Sequence, residues 1–235
     1  MNMYRPQPRR GEFFLGSSLS SAVRMLLVWN VILFLLQQLV DRRLEFYLGL
    51  VPAQVWNGYL WQLVTYMFLH GSFMHILFNM FALWMFGSEL ENLWGTARFV
   101  KYYFFTGIGA GISTVLVTPN AFTPTIGASG AIYGLLLAYG MTFPDRQILL
   151  YFLFPIKAKY FVILFGVLEL FASVTSQGSG IAHVAHLGGL VFGWVYLKTG
   201  LGGGGGIGRS FRQWQRRRQM RKFKVLDFPG QDGRR

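Results

Sequence analysis

Residues 127–143 read Gly-Ala-Ser-Gly-Ala-Ile-Tyr-Gly-Leu-Leu-Leu-Ala-Tyr-Gly-Met-Thr-Phe, seventeen positions without one charged side chain. A run of this length and polarity is where a helix begins to span a bilayer rather than line a soluble core. Five more apolar stretches accompany it, at 23–40, 74–94, 99–117, 160–174 and 181–197. In lipid only helices and closed barrels satisfy the backbone, and these runs lack the period-two alternation of barrel strands. The expected fold class is therefore all-α, a polytopic membrane bundle of six transmembrane helices. The composition agrees: 53% of the 235 residues are hydrophobic and 13% charged, which is too apolar for an ordinary soluble domain.

Charge placement orients the bundle. Half of the 22 Lys and Arg residues lie between Lys198 and Arg235, after the last apolar run, so the net charge of +13 belongs to a tail. With the N-terminus inside, all the basic residues except Arg42 and Arg43 fall on or near the cytoplasmic side, which predicts both termini inside. The first run follows Arg5, Arg9 and Arg10, but no small-residue cleavage pattern follows it, so it reads as a retained helix. The expected division is a cytoplasmic arm at 1–21, a six-helix domain at 22–200, and a glycine-rich linker with a basic tail at 201–235. The tail, with Arg216-Arg217-Arg218 beyond the glycines at 202–206, reads as a partner of anionic inner-leaflet lipid rather than of nucleic acid. The connection 41–73 carries Phe46, Tyr47, Trp56, Tyr59 and Trp61, a composition that predicts a structured loop in the outer interface.

The polar residues inside the apolar runs carry the chemistry, because each costs free energy unless paired or placed at a cavity. His75 and Asn79 on the second run, Ser129 on the fourth and His186 on the sixth all lie near the outer ends of helices that run from outside to inside. Ser129 stands between Gly127 and Gly130 at a loop-to-helix junction, where free backbone N–H groups suit an oxyanion. His186 is the usual type of base for a hydroxyl nucleophile. His186, Gly189 and Gly193 share one helix face of small residues that permits close approach to the fourth helix, and Tyr133, at i+4 from Ser129, is placed to stack on the imidazole. His75 and Asn79, four apart on one face, supply donors for a developing oxyanion. No acidic residue is expected in position to complete a triad, so the reading is a Ser129–His186 dyad. The absence of cysteine excludes thiol nucleophiles and cysteine-based metal sites, and no H-E-x-x-H pattern is present. Neither a metal nor a cofactor is expected.

With these motifs in order, His70-x4-His75-x3-Asn79, Gly127-x-Ser129-Gly130 with Tyr133, and Ala185-His186-x-Gly188-Gly189-x3-Gly193, the chain resembles the rhomboid intramembrane serine proteases in their six-helix form. The resemblance covers most of residues 20–200. It implies a Ser129–His186 dyad, an oxyanion hole from His75, Asn79 and the Ser129 backbone, and His70 as a brace for the first loop. It also implies transmembrane proteins as substrates, a gate and cap from the fifth helix and the loop near Gly178, and acidic positions at Glu89 and Glu91. A bacterial inner membrane is the expected location. One departure is Trp61-Gln62, where family members often carry Trp-Arg. Glu169, the one acidic residue well inside a run, reads as a structural hydrogen-bonding group. An inactive rhomboid-like binder and a transporter are the competing classes. Catalysis requires a polar, outward-opening cavity at Ser129, and substrates with small or helix-breaking residues near the outer surface. The oligomeric state is not legible.

Overall fold

The structure is a computed structural model and describes residues 18–39, 43–150, 154–175 and 180–201. Residues 1–17 of the N-terminal arm, the cap near Gly178 and the basic tail from residue 202 lie outside the described residues. Helix α1 (Ser21–Leu39) leads into a first loop built from α2 (Arg43–Leu48), α3 (Pro52–Trp56), α4 (Gln62–Thr65) and a 3₁₀ turn at Tyr66–Phe68. A continuous helical stretch follows, made of α5 (Phe73–Ala82), a π-helical turn at Leu83–Gly87 and α6 (Ser88–Trp94). Helices α7 (Thr96–Val117), α8 (Ser129–Thr142), α9 (Ala158–Thr175) and α10 (Gly180–Thr199) complete the bundle.

Among the described residues, helical segments overlap each of the apolar runs. Four of them, Ser21–Leu39, Phe73–Trp94, Thr96–Val117 and Ala158–Thr175, are long and apolar enough to cross a membrane. Helix α8, with 14 residues, is about 21 Å long, shorter than the hydrocarbon core, because its first turn starts at Ser129 after a non-helical segment. The all-α expectation needs one correction. Strands β1 (Gln147–Leu150) and β2 (Phe154–Lys157) form an antiparallel hairpin between α8 and α9, pairing Gln147 with Lys157 and Ile148 with Ile156. A short polar-flanked connection satisfies its own backbone this way, and it buries Ile148 beneath the bundle.

The centre is a close-packed trio of α7, α8 and α10, with Tyr102, Tyr103, Leu135 and Tyr139 fully buried. Small residues make this possible. A Cβ on Gly189 of α10 would run into the Gly130 carbonyl of α8, and one on Gly193 would meet the Tyr102 hydroxyl at 2.6 Å. Helix α9 is the least embedded: Ile163, Val167, Leu170, Phe171 and Val174 all face outward, as lipid-facing side chains do.

Buried polar groups secure the remaining elements. Glu91 caps α1 from 69 residues away, its carboxylate accepting from the Ala22 and Val23 N–H groups at 3.0 Å and the Ser20 hydroxyl at 2.5 Å. Glu89 pairs with Arg146 beyond the end of α8. In the first loop Gln62 is fully buried where an arginine was expected from the family. Its Oε1 accepts from the Val51 N–H at 2.9 Å, and its Nε2 donates to the Phe46 carbonyl at 3.0 Å and Gln54 Oε1 at 2.7 Å. A neutral amide at this position supplies both donor and acceptor without the desolvation cost of a charge.

Candidate active site

The first loop positions the segment before Ser129. Leu50 and Thr125 exchange backbone hydrogen bonds at 2.9 and 2.8 Å, and the Gly127 N–H donates to the Tyr66 carbonyl at 2.9 Å. The Tyr66 hydroxyl in turn donates to the Gly107 carbonyl on α7 at 2.7 Å. Gly127 has φ +126°, a conformation that L side chains rarely adopt, and a Cβ there would lie 2.7 Å from Nε2 of His75. The chain therefore reaches Ser129 through a position only glycine fits, with His75 packed over it. Ser129 then opens α8, where the first backbone N–H groups have no partner within the helix.

His186, on the second turn of α10, places Nε2 2.7 Å from Ser129 Oγ. The ring of Tyr133 stacks on it, with centroids 4.4 Å apart and planes within 11° of parallel. This stacking fixes the imidazole plane while leaving both nitrogens at the ring edge free to act.

The structure corrects the expectation that no acid reaches the histidine. Oε1 of Glu169, on α9, lies 3.0 Å from Nδ1 of His186, at ion-pair distance though without the alignment of a hydrogen bond. Oε2 lies 2.6 Å from Nδ1 of His183, and the Tyr133 hydroxyl donates to Oε1. One carboxylate therefore joins α8, α9 and α10. The two residues that sequence reasoning missed in this role, Glu169 and His183, left signals: a lone acid within an apolar run, and a second histidine at i−3 from His186 on the same helix face. Donor atoms of Glu169, His183 and His186 fall within 4.8 Å of one another, but the carboxylate already contacts both imidazoles, so a metal would have to displace those contacts.

On the facing helix, Ser72 caps α5 by accepting from the His75 N–H at 3.2 Å. Nδ1 of His75 accepts from the Gly71 N–H at 3.4 Å, so the neutral ring carries its proton on Nε2, the nitrogen over Gly127. Asn79 donates one amide hydrogen to the His75 carbonyl at 3.0 Å, and an amide group has a second to give. His70 is fully buried, edge-on to His75 with ring centroids 5.0 Å apart, and its backbone N–H donates to Gln37 Oε1 of α1 at 3.1 Å.

His75, Asn79, Ser129, Tyr133 and His186 line one end of a cavity of about 750 Å³. Its remaining walls are almost wholly apolar, from Met74, Leu77 and Phe81 on α5, Met85 and Phe86 on the π turn, Leu136 on α8, and Phe161 and Phe165 on α9. The expectation of a polar cavity is corrected to an apolar cleft with its polar groups gathered at one end. Bilayer-facing walls must be apolar, and the polar requirement is met by the few groups around Ser129.

The rhomboid-domain family model matches residues 57–202, which include every one of these site residues. The chain belongs to the rhomboid family. As a rhomboid it is an integral membrane protein, and its similarity extends to named relatives. Rhomboid protein 1, mitochondrial, of Saccharomyces cerevisiae is 33% identical over 140 residues, covering 55% of this chain and 38% of the relative. The putative rhomboid protease YdcA of Bacillus subtilis is 41% identical over 83 residues, 35% of this chain and 41% of the relative. Rhomboid protease GluP of the same organism is 34% identical over 140 residues, 59% of this chain and 25% of the relative. The aligned parts thus amount to between a quarter and about two-fifths of these relatives' lengths. Bacterial and mitochondrial rhomboids match alike, so the similarity does not select the bacterial inner membrane expected from the sequence.

Proposed function

We propose that this rhomboid is an intramembrane serine endopeptidase that cleaves transmembrane segments of other membrane proteins near the outer face. The observation that carries the reading is the 2.7 Å contact between Ser129 Oγ and His186 Nε2 at the polar end of an apolar cleft. Ser129 attacks the scissile carbonyl while His186 accepts its proton. The tetrahedral oxyanion is held by the Ser129 N–H, His75 Nε2–H and an Asn79 amide hydrogen. His186 then passes the proton to the leaving amine, and water attacks the acyl-enzyme by the same route in reverse. Tyr133 holds the imidazole plane, Gly127 makes room for His75, Gly189 and Gly193 bring α10 against α8, and His70 braces the first loop.

The cleft between α5 and α9 favours a substrate that is itself apolar and helical. Such a segment exposes its backbone only where small or helix-breaking residues weaken it, which sets the preferred cleavage region. The six segments are taken as six spans in a domain at 22–200, with both termini cytoplasmic. Support comes from the basic residues at the ends assigned to that side, where Arg98 lies over Trp94, Arg146 over Phe143 and Lys198 over Trp194. The tail at 201–235 is assigned to anionic lipid.

The test is a cleavage assay in liposomes with a single-span reporter carrying Gly and Ala near one end of its helix. Wild type is expected to cut the reporter once, near that end. Cleavage unchanged in Ser129→Ala would remove the reading.

A further inference from the structure

We propose that Glu169 is a positioning residue that converts the Ser129–His186 pair into a serine–histidine–carboxylate relay. The inference rests on the proposed protease reading. A neutral imidazole serves as base only in the tautomer with its proton on Nδ1 and its lone pair on Nε2. Oε1 of Glu169 lies 3.0 Å from Nδ1, while Nε2 lies 2.7 Å from Ser129 Oγ, so the carboxylate and the serine occupy opposite ends of one ring. The carboxylate charge 3.0 Å from Nδ1 disfavours a lone pair on that nitrogen, and so favours the tautomer protonated there in the resting enzyme.

The same contact acts during the reaction. As the Ser129 O–H bond breaks, its proton moves to Nε2 and the electron pair left on Oγ forms the bond to the carbonyl carbon. The resulting imidazolium carries its charge beside Glu169, which stays ionised throughout. When the C–N bond breaks, the Nε2 proton goes to the amine nitrogen and the ring returns to its starting tautomer. Glu169 neither gives nor takes a proton.

Two further observations favour this role over a purely structural bond. The carboxylate is held on both oxygens, Oε1 by the Tyr133 hydroxyl and Oε2 by His183 at 2.6 Å, so its place beside Nδ1 is fixed by two side chains other than His186. Tyr133 is also the residue stacked on His186, so ring plane and carboxylate are located by one side chain.

The experiment compares wild type, Glu169→Gln, Glu169→Asp and Ser129→Ala in the same detergent, reading kcat and KM on the reporter, second-order labelling of Ser129 by a fluorophosphonate, and the thermal midpoint. Glu169→Gln keeps the shape and loses the charge. It is expected to lower kcat and the labelling rate by about 10- to 1,000-fold with KM within about threefold of wild type. Glu169→Asp is expected to recover part of the loss. If Glu169→Gln matched wild type in kcat and labelling while Ser129→Ala was dead, the relay would be wrong and the protease reading would stand. A fall in kcat matched by the fall in folded fraction, with no residual defect per folded molecule, would also overturn it. Activity in Ser129→Ala would overturn the protease reading itself.

Discussion

Gly189 of α10 lies so close to Gly130 of α8 that a Cβ on Gly189 would overlap the Gly130 carbonyl oxygen. Gly130 follows Ser129, and Gly189 lies one turn after His186, so this backbone contact sets the spacing of Ser129 and His186. Replacing Gly189 by Ala is expected to push the helices apart, costing about 1–3 kcal/mol of stability. The labelling rate of Ser129 per folded molecule should fall at least tenfold. A Gly189→Ala protein with wild-type thermal midpoint and labelling would show that the contact does not set this distance.

Gln62 ties the first loop together through Val51, Phe46 and Gln54, and that loop carries Leu50, the backbone partner of Thr125 in the segment before Ser129. Gln62→Ala is expected to destabilise the protein by about 1–3 kcal/mol by leaving buried groups unpaired. Gln62→Glu should be at least as damaging at neutral pH, since it sets a carboxylate oxygen against the Phe46 carbonyl and Gln54 Oε1. Thermal unfolding of the three proteins decides the matter, and a Glu variant more stable than Ala would contradict the role of Gln62 Nε2 as a donor to these two oxygens.

Burial holds the His70 imidazole down at about 3, with the neighbouring His75 adding to the effect, against an ordinary value of 6.5. The unfolded chain therefore binds a proton below pH 6.5 that the folded protein refuses. Stability is expected to fall as pH drops from 6.5 toward 3, at up to about 1.4 kcal/mol per pH unit, or about 2 kcal/mol by pH 5. His70→Leu removes the titration, so its thermal midpoint should change less between pH 7 and pH 5 than that of wild type. Equal slopes would assign the acid sensitivity elsewhere.

How far the sequence could be read depended on how local each cause was. The helices were legible because their apolar runs are continuous, and Ser129, His186, His75 and Asn79 stood out because each is a polar exception inside such a run. The β1–β2 hairpin was not, since Gln147–Leu150 and Phe154–Lys157 are too short and mixed to announce a strand. Glu169 was visible as an anomaly but not as a partner of His186, because the meeting depends on how α9 lies against α10. Gln62 looked like the loss of an arginine anchor, and its three buried partners are set by the loop's tertiary path. The apolar character of the cleft likewise follows from which faces of α5 and α9 meet.

Asn79 is the proposed side-chain amide donor to the oxyanion, and its bond to the His75 carbonyl leaves a second amide hydrogen to give. Asn79→Ala is expected to lower kcat on the order of 10- to 1,000-fold with little effect on KM. A change confined to KM would place Asn79 in substrate binding instead.

Activation of Ser129 by His186 is read out by covalent labelling of the purified, detergent-solubilised protein with a fluorophosphonate, followed by intact mass. One adduct is expected on wild type and none on Ser129→Ala or His186→Ala, with all three proteins folded and a control protease labelled in the same detergent. Equal labelling of the Ser129→Ala protein, or none on folded wild type, would contradict it.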